Sequence, residues 1–151
     1  MIVGLDANII CYALDDAYPE HEKLKCLLLD LSPENKIALN PTTIHEAYHT
    51  LVFSQKWTPE ESAETLKLLI KNPDAEFFNQ TRKTSSIALN LSVQHKLGGR
   101  DALIAANFLE NQIHAMYTRD KQLLKLQKIT WKNTNLTYTD PLTQKGTSAP
   151  T

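Results

Sequence analysis

The sequence predicts an α/β protein, a three-layer α/β/α sandwich built on a central, mainly parallel five-stranded sheet. Three observations carry that prediction. Short apolar runs of strand length alternate along the chain with longer segments of helical period. Helical segments separate successive strands, which implies parallel pairing through right-handed crossovers. And 151 residues at 42% hydrophobic and 22% charged make one ordinary domain that needs no disulfide staples.

The elements follow in order. Ile2 to Leu5 is a strand that stops at Asp6-Ala7-Asn8, and Ile9 to Leu14 then reads as a buried helix. Residues 20–31 place Leu24, Leu27, Leu28 and Leu31 at helical spacing, predicting one amphipathic helix. After the turn Pro33-Glu34-Asn35, Ile37 to Leu39 forms the second strand. From Pro41 the apolar residues Ile44, Ala47, Tyr48, Leu51 and Val52 define a helix. Thr58-Pro59-Glu60-Glu61 starts another, with a Thr cap, Pro in the first position and Glu three residues on. Ala75 to Phe78 is a third strand, residues 81–96 a helix closed by Gly98-Gly99, and Asp101 to Asn111 a helix apolar almost all round. His114 to Thr118 is a fourth strand, Asp120 to Leu126 a short helix and Ile129 to Trp131 a fifth strand. Residues 133–151 hold six Thr, two Pro and two Leu, so the domain is expected over 1–132 and a loosely ordered tail over 133–151.

No apolar run reaches the length of a membrane span and no basic leader precedes Ile2, so a cytoplasmic protein without a membrane partner is expected. Cys11 and Cys26 fit no metal or redox spacing and read as reduced, buried thiols. Net charge is −1, which gives no overall basic footprint for nucleic acid. Setting aside four acids for one cluster leaves thirteen acids against sixteen bases, a balance of +3.

Ligands of open α/β sheets bind beyond the carboxyl ends of the strands, near the reversal of strand order. That rule selects Asp6 after the first strand, Asp120 after the fourth, Glu46 in the helix after the second, and Asp101 just past Gly98-Gly99. Each alone has an ordinary explanation. Asp6 and Asp120 suit helix caps, Asp101 suits a first helical turn, and Glu46 suits a solvated face.

Taken together they resemble a family. Leu5-Asp6-Ala7-Asn8-Ile9-Ile10 is similar to the opening motif of the PIN-domain nucleases, and Thr43-Ile44-His45-Glu46 resembles their T-x-x-E helix. Arg100-Asp101-Ala102-Leu103-Ile104-Ala105-Ala106 resembles their D-A-x-I-A-A segment, the most specific of the matches. Thr118-Arg119-Asp120 resembles the closing T-x-D, and the four stretches come in family order over residues 1–131. A chain of this size most resembles the VapC-type toxins of toxin–antitoxin pairs. Two residues depart from the pattern: Ala7 stands where Thr is frequent, and Asn107 where small apolar residues are usual.

The resemblance implies a PIN-like fold and metal-dependent hydrolysis of RNA that leaves a 5′-phosphate and a 3′-hydroxyl. Asp6, Glu46 and Asp101 would be the principal catalytic, metal-binding acids, with Asp120 the fourth and Asn8 and Thr118 orienting them. Oxygen-only ligands suit Mg²⁺ or Mn²⁺ before Zn²⁺, and clustered carboxylates call for such a cation. Lys96, Arg100, Arg119 and Lys121 flank the expected cleft as candidate RNA contacts, with ordinary salt bridges as the alternative. The apolar helices at 20–31 and 58–71 offer faces to an antitoxin or a homodimer mate, or simply to the core.

His45-Glu46-Ala47-Tyr48-His49 is also a literal H-E-x-x-H, the zinc metallopeptidase pattern. His95 and His114 are available as a third ligand, but neither stands in a recognisable motif, and this reading leaves Asp6, Asp101 and Asp120 unused. A catalytically silent PIN-like interaction domain is the other alternative.

Overall fold

The chain's first apolar run, Ile2 to Leu5, becomes β1 (Ile2–Leu5), and the sheet grows outward from it. The structure is a computed structural model and describes residues 1–143. Asp6 ends the strand and starts α1 (Ala7–Leu14), its carboxylate accepting the Ala7 N–H at 2.7 Å. Two short helices follow, α2 (His21–Leu24) and α3 (Cys26–Leu29), and lead to β2 (Lys36–Leu39). Helix α4 (Pro41–Phe53) opens on a reciprocal cap: the Thr43 N–H donates to the Asn40 side chain and the Asn40 N–H to the Thr43 hydroxyl. Helix α5 (Pro59–Lys71) starts at the expected Thr58 cap and runs to β3 (Ala75–Phe77). Then come α6 (Arg82–His95), α7 (Gly99–Glu110), β4 (Ala115–Tyr117), α8 (Lys121–Leu126), β5 (Lys128–Trp131) and β6 (Thr134–Thr139).

The strand order is β3-β2-β1-β4-β6-β5, parallel throughout except for the β5–β6 pair. The order reverses at β1, which pairs with β2 on one side and β4 on the other, with Gly4 opposite both Ala38 and Met116. Helices cover both faces. One core packs α6, α7 and α8 against the sheet, and the other packs α1 to α5. The fold is therefore the three-layer sandwich that the alternation of runs predicts.

Four details differ from expectation. The sheet has six strands among the described residues rather than five, because 134–139 is not loose tail but β6, inserted between β4 and β5. Its Thr-rich composition is strand chemistry: Leu136 and Tyr138 alternate into the core while Asn135 and Thr137 face out. Residues 144–151 of the expected tail lie outside the described residues. The stretch 20–31 is two short helices meeting at Lys25 instead of one. Cys11 is buried as expected, but Cys26 is exposed. Finally, α6 is closed by Lys96, which takes the left-handed conformation at φ 57, while Gly98 caps the start of α7.

Asn107 also finds its reason here. It is fully buried on α7, donates to the carbonyls of Phe78 at 3.3 Å and Asn79 at 2.9 Å, and accepts from Asn40 Nδ2 at 3.2 Å. A polar residue in an apolar helix thus ties α7 to the cap of α4 and to the end of β3. Replacing it strands buried partners, so Asn107→Ala is expected to cost about 2 kcal/mol, a fall in melting temperature of roughly 4–8 °C. An unchanged melting curve would contradict this.

Candidate active site

Four separated segments converge beyond the carboxyl ends of β1 and β4. Asp6 follows β1, Glu46 sits on the second turn of α4, Asp101 is in the first turn of α7, and Asp120 caps α8. All four line one cleft of about 370 Å³, whose wall includes Asn8, His49, Gly98, Gly99 and Arg100. The switch-point rule that selected these acids from the sequence is therefore met in space.

Their surroundings differ. One Asp6 oxygen accepts the Ala7 N–H and the other accepts the Thr118 hydroxyl at 2.7 Å, so both oxygens of the carboxylate are held. The Thr118 hydroxyl also accepts the Asp120 N–H at 3.0 Å, which couples the two acids through one side chain. Asp120 spends one oxygen on its own helix, accepting from the Gln122 and Leu123 amides at 2.8 and 3.1 Å. Glu46 pairs with Arg100 at 3.2 Å across the cleft. The carboxylate of Asp101 accepts no hydrogen bond among the described residues. Asn8 lies exposed in the cleft wall, and its side chain contacts none of the four acids through a hydrogen bond.

Burial acts most strongly on these acids, and their mutual repulsion adds to it. Burial raises Asp6 above the usual carboxylate range; the Thr118 and Ala7 hydrogen bonds oppose this, and the charge of Asp120 adds to it. Glu46 is raised by burial, with Arg100 opposing and Asp6 and Asp101 adding. Asp101 is raised by burial and then by Asp6 and Asp120, against Arg100. This is the pattern of a carboxylate cluster short of positive charge. Among the described residues, no three acids, histidines or cysteines close into a metal cage; the acids stand around an open cleft. The donor set nevertheless suits a hard divalent ion, being all oxygen and under-neutralised, with Asp101 unengaged.

The basic candidates separate. Arg100 is in the cleft, exposed, and paired with Glu46. Lys96 borders an adjoining cavity, and Lys121 opens α8 as an exposed residue outside the cleft wall. Arg119 does not fit the expected RNA contact. Its guanidinium is held between Glu20 at 3.2 Å and Asp140 at 3.3 Å, away from the cleft lining, so it bolts the α1–α2 connection to the end of β6.

The H-E-x-x-H histidines border different cavities. His49 lines the acid cleft and lies against Phe53 with ring centroids 4.7 Å apart. His45 faces a groove formed with Tyr48, Leu66 and Ile70. His114 precedes β4, at the opposite end of that strand from Asp120. No shared zinc position follows from this arrangement.

Tyr138 is a core residue that feels the charge of the acids, and local composition hides it. It is buried on β6, and burial followed by the charges of Asp101, Asp6 and Asp120 pushes its phenol well above the ordinary value. Its signal was the alternation in Thr134–Thr139, hidden by a composition that suggests a tail.

A family model described as PIN domain matches residues 3–129. Solved structures with similar folds include VapC20 of Mycobacterium tuberculosis, described as a sarcin-ricin loop cleaving toxin, with TM-score 0.66 and 15% identity over 80% of this chain and 91% of that one. VapBC2 from Rickettsia felis, bound to a DNA fragment from its promoter, gives TM-score 0.61 and 19% identity over 93% and 98%. A toxin–antitoxin complex from Klebsiella pneumoniae gives TM-score 0.54 and 19% identity over 78% and 86%. At these identities the likeness is one of fold. No curated protein is matched by the sequence.

Proposed function

The chain belongs to the PIN domain family, and on that premise we propose that it is a Mg²⁺- or Mn²⁺-dependent endoribonuclease, the toxin of a toxin–antitoxin pair. The observation that carries this reading is the convergence of Asp6, Glu46, Asp101 and Asp120 on one cleft at the reversal of strand order. Asp6, Glu46 and Asp101 would hold the ion, with Asp120 contributing the oxygen its helix cap leaves free. When bound, a divalent ion supplies an activated water and stabilises charge on the phosphate oxygens. The chain's own residues prepare that chemistry. Thr118 and the Ala7 amide fix the rotamer of Asp6, and the same hydroxyl holds the backbone of Asp120. Arg100, paired with Glu46 in the cleft lining, would exchange that partner for an RNA phosphate.

The toxin role draws support from VapC20 and the Klebsiella pneumoniae complex, whose folds this chain shares. Exposed Leu29 on α3 and Leu68 on α5 provide apolar surface for an antitoxin or a second copy. Among the described residues no helix is long and apolar enough to cross a membrane.

The test is cleavage of an unstructured RNA by the purified protein. Activity is expected with Mg²⁺ or Mn²⁺ and not in EDTA. Because a carboxylate site does not need the imidazoles, His45→Ala/His49→Ala should keep cleavage within about tenfold of the parent, up to roughly 1.4 kcal/mol of barrier. Stoichiometric zinc lost in that double variant, together with a peptidase activity, would favour the metallopeptidase instead.

A further inference from the structure

Four acids face one cleft, and among the described residues Arg100 is the one lysine or arginine in its lining. Its Nη1 lies 3.2 Å from Oε2 of Glu46, so a carboxylate read above as an ion ligand already has a cation beside it. We propose that Arg100 is a resident counterion, which holds Glu46 in the ion-free protein and competes with the divalent ion for that carboxylate; this rests on the metal-site reading above.

The place of Arg100 is not explained by its own helix. It stands in the first turn of α7 next to Asp101, where free N–H groups favour an anion and oppose a cation. Its favourable partner is across the cleft on α4, and its charge reaches both helices: Arg100 opposes the upward shift of Glu46 and of Asp101 alike. The contact is also built to be given up. The Arg100 side chain is 78% exposed against 24% for Glu46, and a pair held from the solvent side by a single carboxylate is weak. Arg119 shows the contrast, being 34% exposed and gripped by two carboxylates, Glu20 and Asp140. One guanidinium neutralises one of the four acids, whereas a divalent ion brings twice the charge and can be shared among several oxygens, so Arg100 yields when the ion is present. The linkage is reciprocal. An anion that draws Arg100 away from Glu46, such as an RNA phosphate, tightens ion binding, and a bound ion leaves the guanidinium free for that anion.

The experiment is Mn²⁺ titration of the metal-free protein, followed by the electron paramagnetic resonance signal of the free ion. It compares the parent with Arg100→Ala and Arg100→Lys, and repeats Arg100→Ala on Glu46→Gln and on Glu46→Asp. Arg100→Ala is expected to bind Mn²⁺ roughly three- to fivefold more tightly than the parent, the size of an exposed ion pair given up. Arg100→Lys keeps the charge and should stay closer to the parent. On Glu46→Gln the alanine substitution should change affinity by less than about 1.5-fold, because the contested carboxylate is gone. Glu46→Asp keeps a carboxylate but draws it back from Arg100, so the gain should shrink there too, and this background carries the test if Glu46→Gln binds too weakly to titrate. Mn²⁺ binding by Arg100→Ala no tighter than by the parent would overturn the counterion and leave the metal-site reading intact. A gain as large on the Glu46 variants as on the parent would overturn it equally, since Arg100 would then act on the ion through space and not through Glu46. A parent that binds no Mn²⁺ would overturn the metal-site reading itself, and the counterion with it.

Discussion

Asp101→Asn is expected to leave a folded protein whose metal-dependent RNA cleavage falls roughly 10³-fold, about 4 kcal/mol of barrier. The substitution keeps the shape and removes one charge. No hydrogen bond among the described residues is lost with it, since the Asp101 carboxylate accepts none, and its neighbours Asp6 and Asp120 are relieved of a like charge. In EDTA the variant should therefore melt no lower than the parent, the lost helix-dipole interaction of roughly 0.3–1 kcal/mol being offset by the relief. With Mn²⁺ the parent should gain stability by mass action, about 2.7 kcal/mol at one hundred times the Kd, and the variant should gain far less.

A pH profile checks the same electrostatics. Asp6, Glu46 and Asp101 are all raised by burial, so in the folded metal-free protein they hold protons that the unfolded chain releases near ordinary carboxylate values. Stability in EDTA should consequently fall as pH rises through the interval between those ordinary values and the raised ones, and stay flat above it. Cleavage needs the ionised acids, which a bound cation favours, so it should rise with pH at lower values than the metal-free change in stability. Nearly normal cleavage by Asp101→Asn, with contaminating ribonuclease excluded, would remove that acid from the site.

The second large effect is on the scaffold. Gly4→Ala should destabilise the protein by about 3 kcal/mol, roughly 6–12 °C in melting temperature, with cleavage impaired as a consequence. Gly4 lies in β1 between two paired strands, and a Cβ placed there would stand 2.5 Å from Cε2 and 2.8 Å from Cδ2 of Phe108. The Phe108 ring is completely buried on α7, so it has little room to move aside. The strain would be met by pushing α7 from the sheet or by bending β1, and those elements carry Asp101 and Asp6. A variant as stable as the parent would mean that the ring has an alternative seat.

These two residues show what the chain reveals in one dimension. The place of Asp101 in the cleft was legible because Gly98-Gly99, an acid and an apolar helix follow in order, and because clefts of open α/β sheets form at strand ends. Gly4 was not, since its necessity lies in Phe108, more than a hundred positions away. The same limit hid β6. Its Leu136 and Tyr138 alternate correctly, but six threonines and two prolines over 133–151 dilute the pattern. Asn107 looked like a departure until its partners Asn40, Phe78 and Asn79 were in place. Arg119, adjacent to a cleft acid in sequence, points instead to Glu20 and Asp140, whose approach depends on the folded chain. Periodicity and strand-end position read through local sequence; long-range pairing does not.

Carboxylates from four segments are proposed to form one divalent-ion site. Titration of the metal-free protein with Mn²⁺, following the electron paramagnetic resonance signal of the free ion, tests it without reference to any substrate. The parent should bind Mn²⁺, Asp6→Asn and Asp101→Asn should each weaken binding by about tenfold or more, and His45→Ala/His49→Ala should leave it nearly unchanged. Mn²⁺ binding that is the same in the parent and in both acid variants would rule out a metal site at these carboxylates.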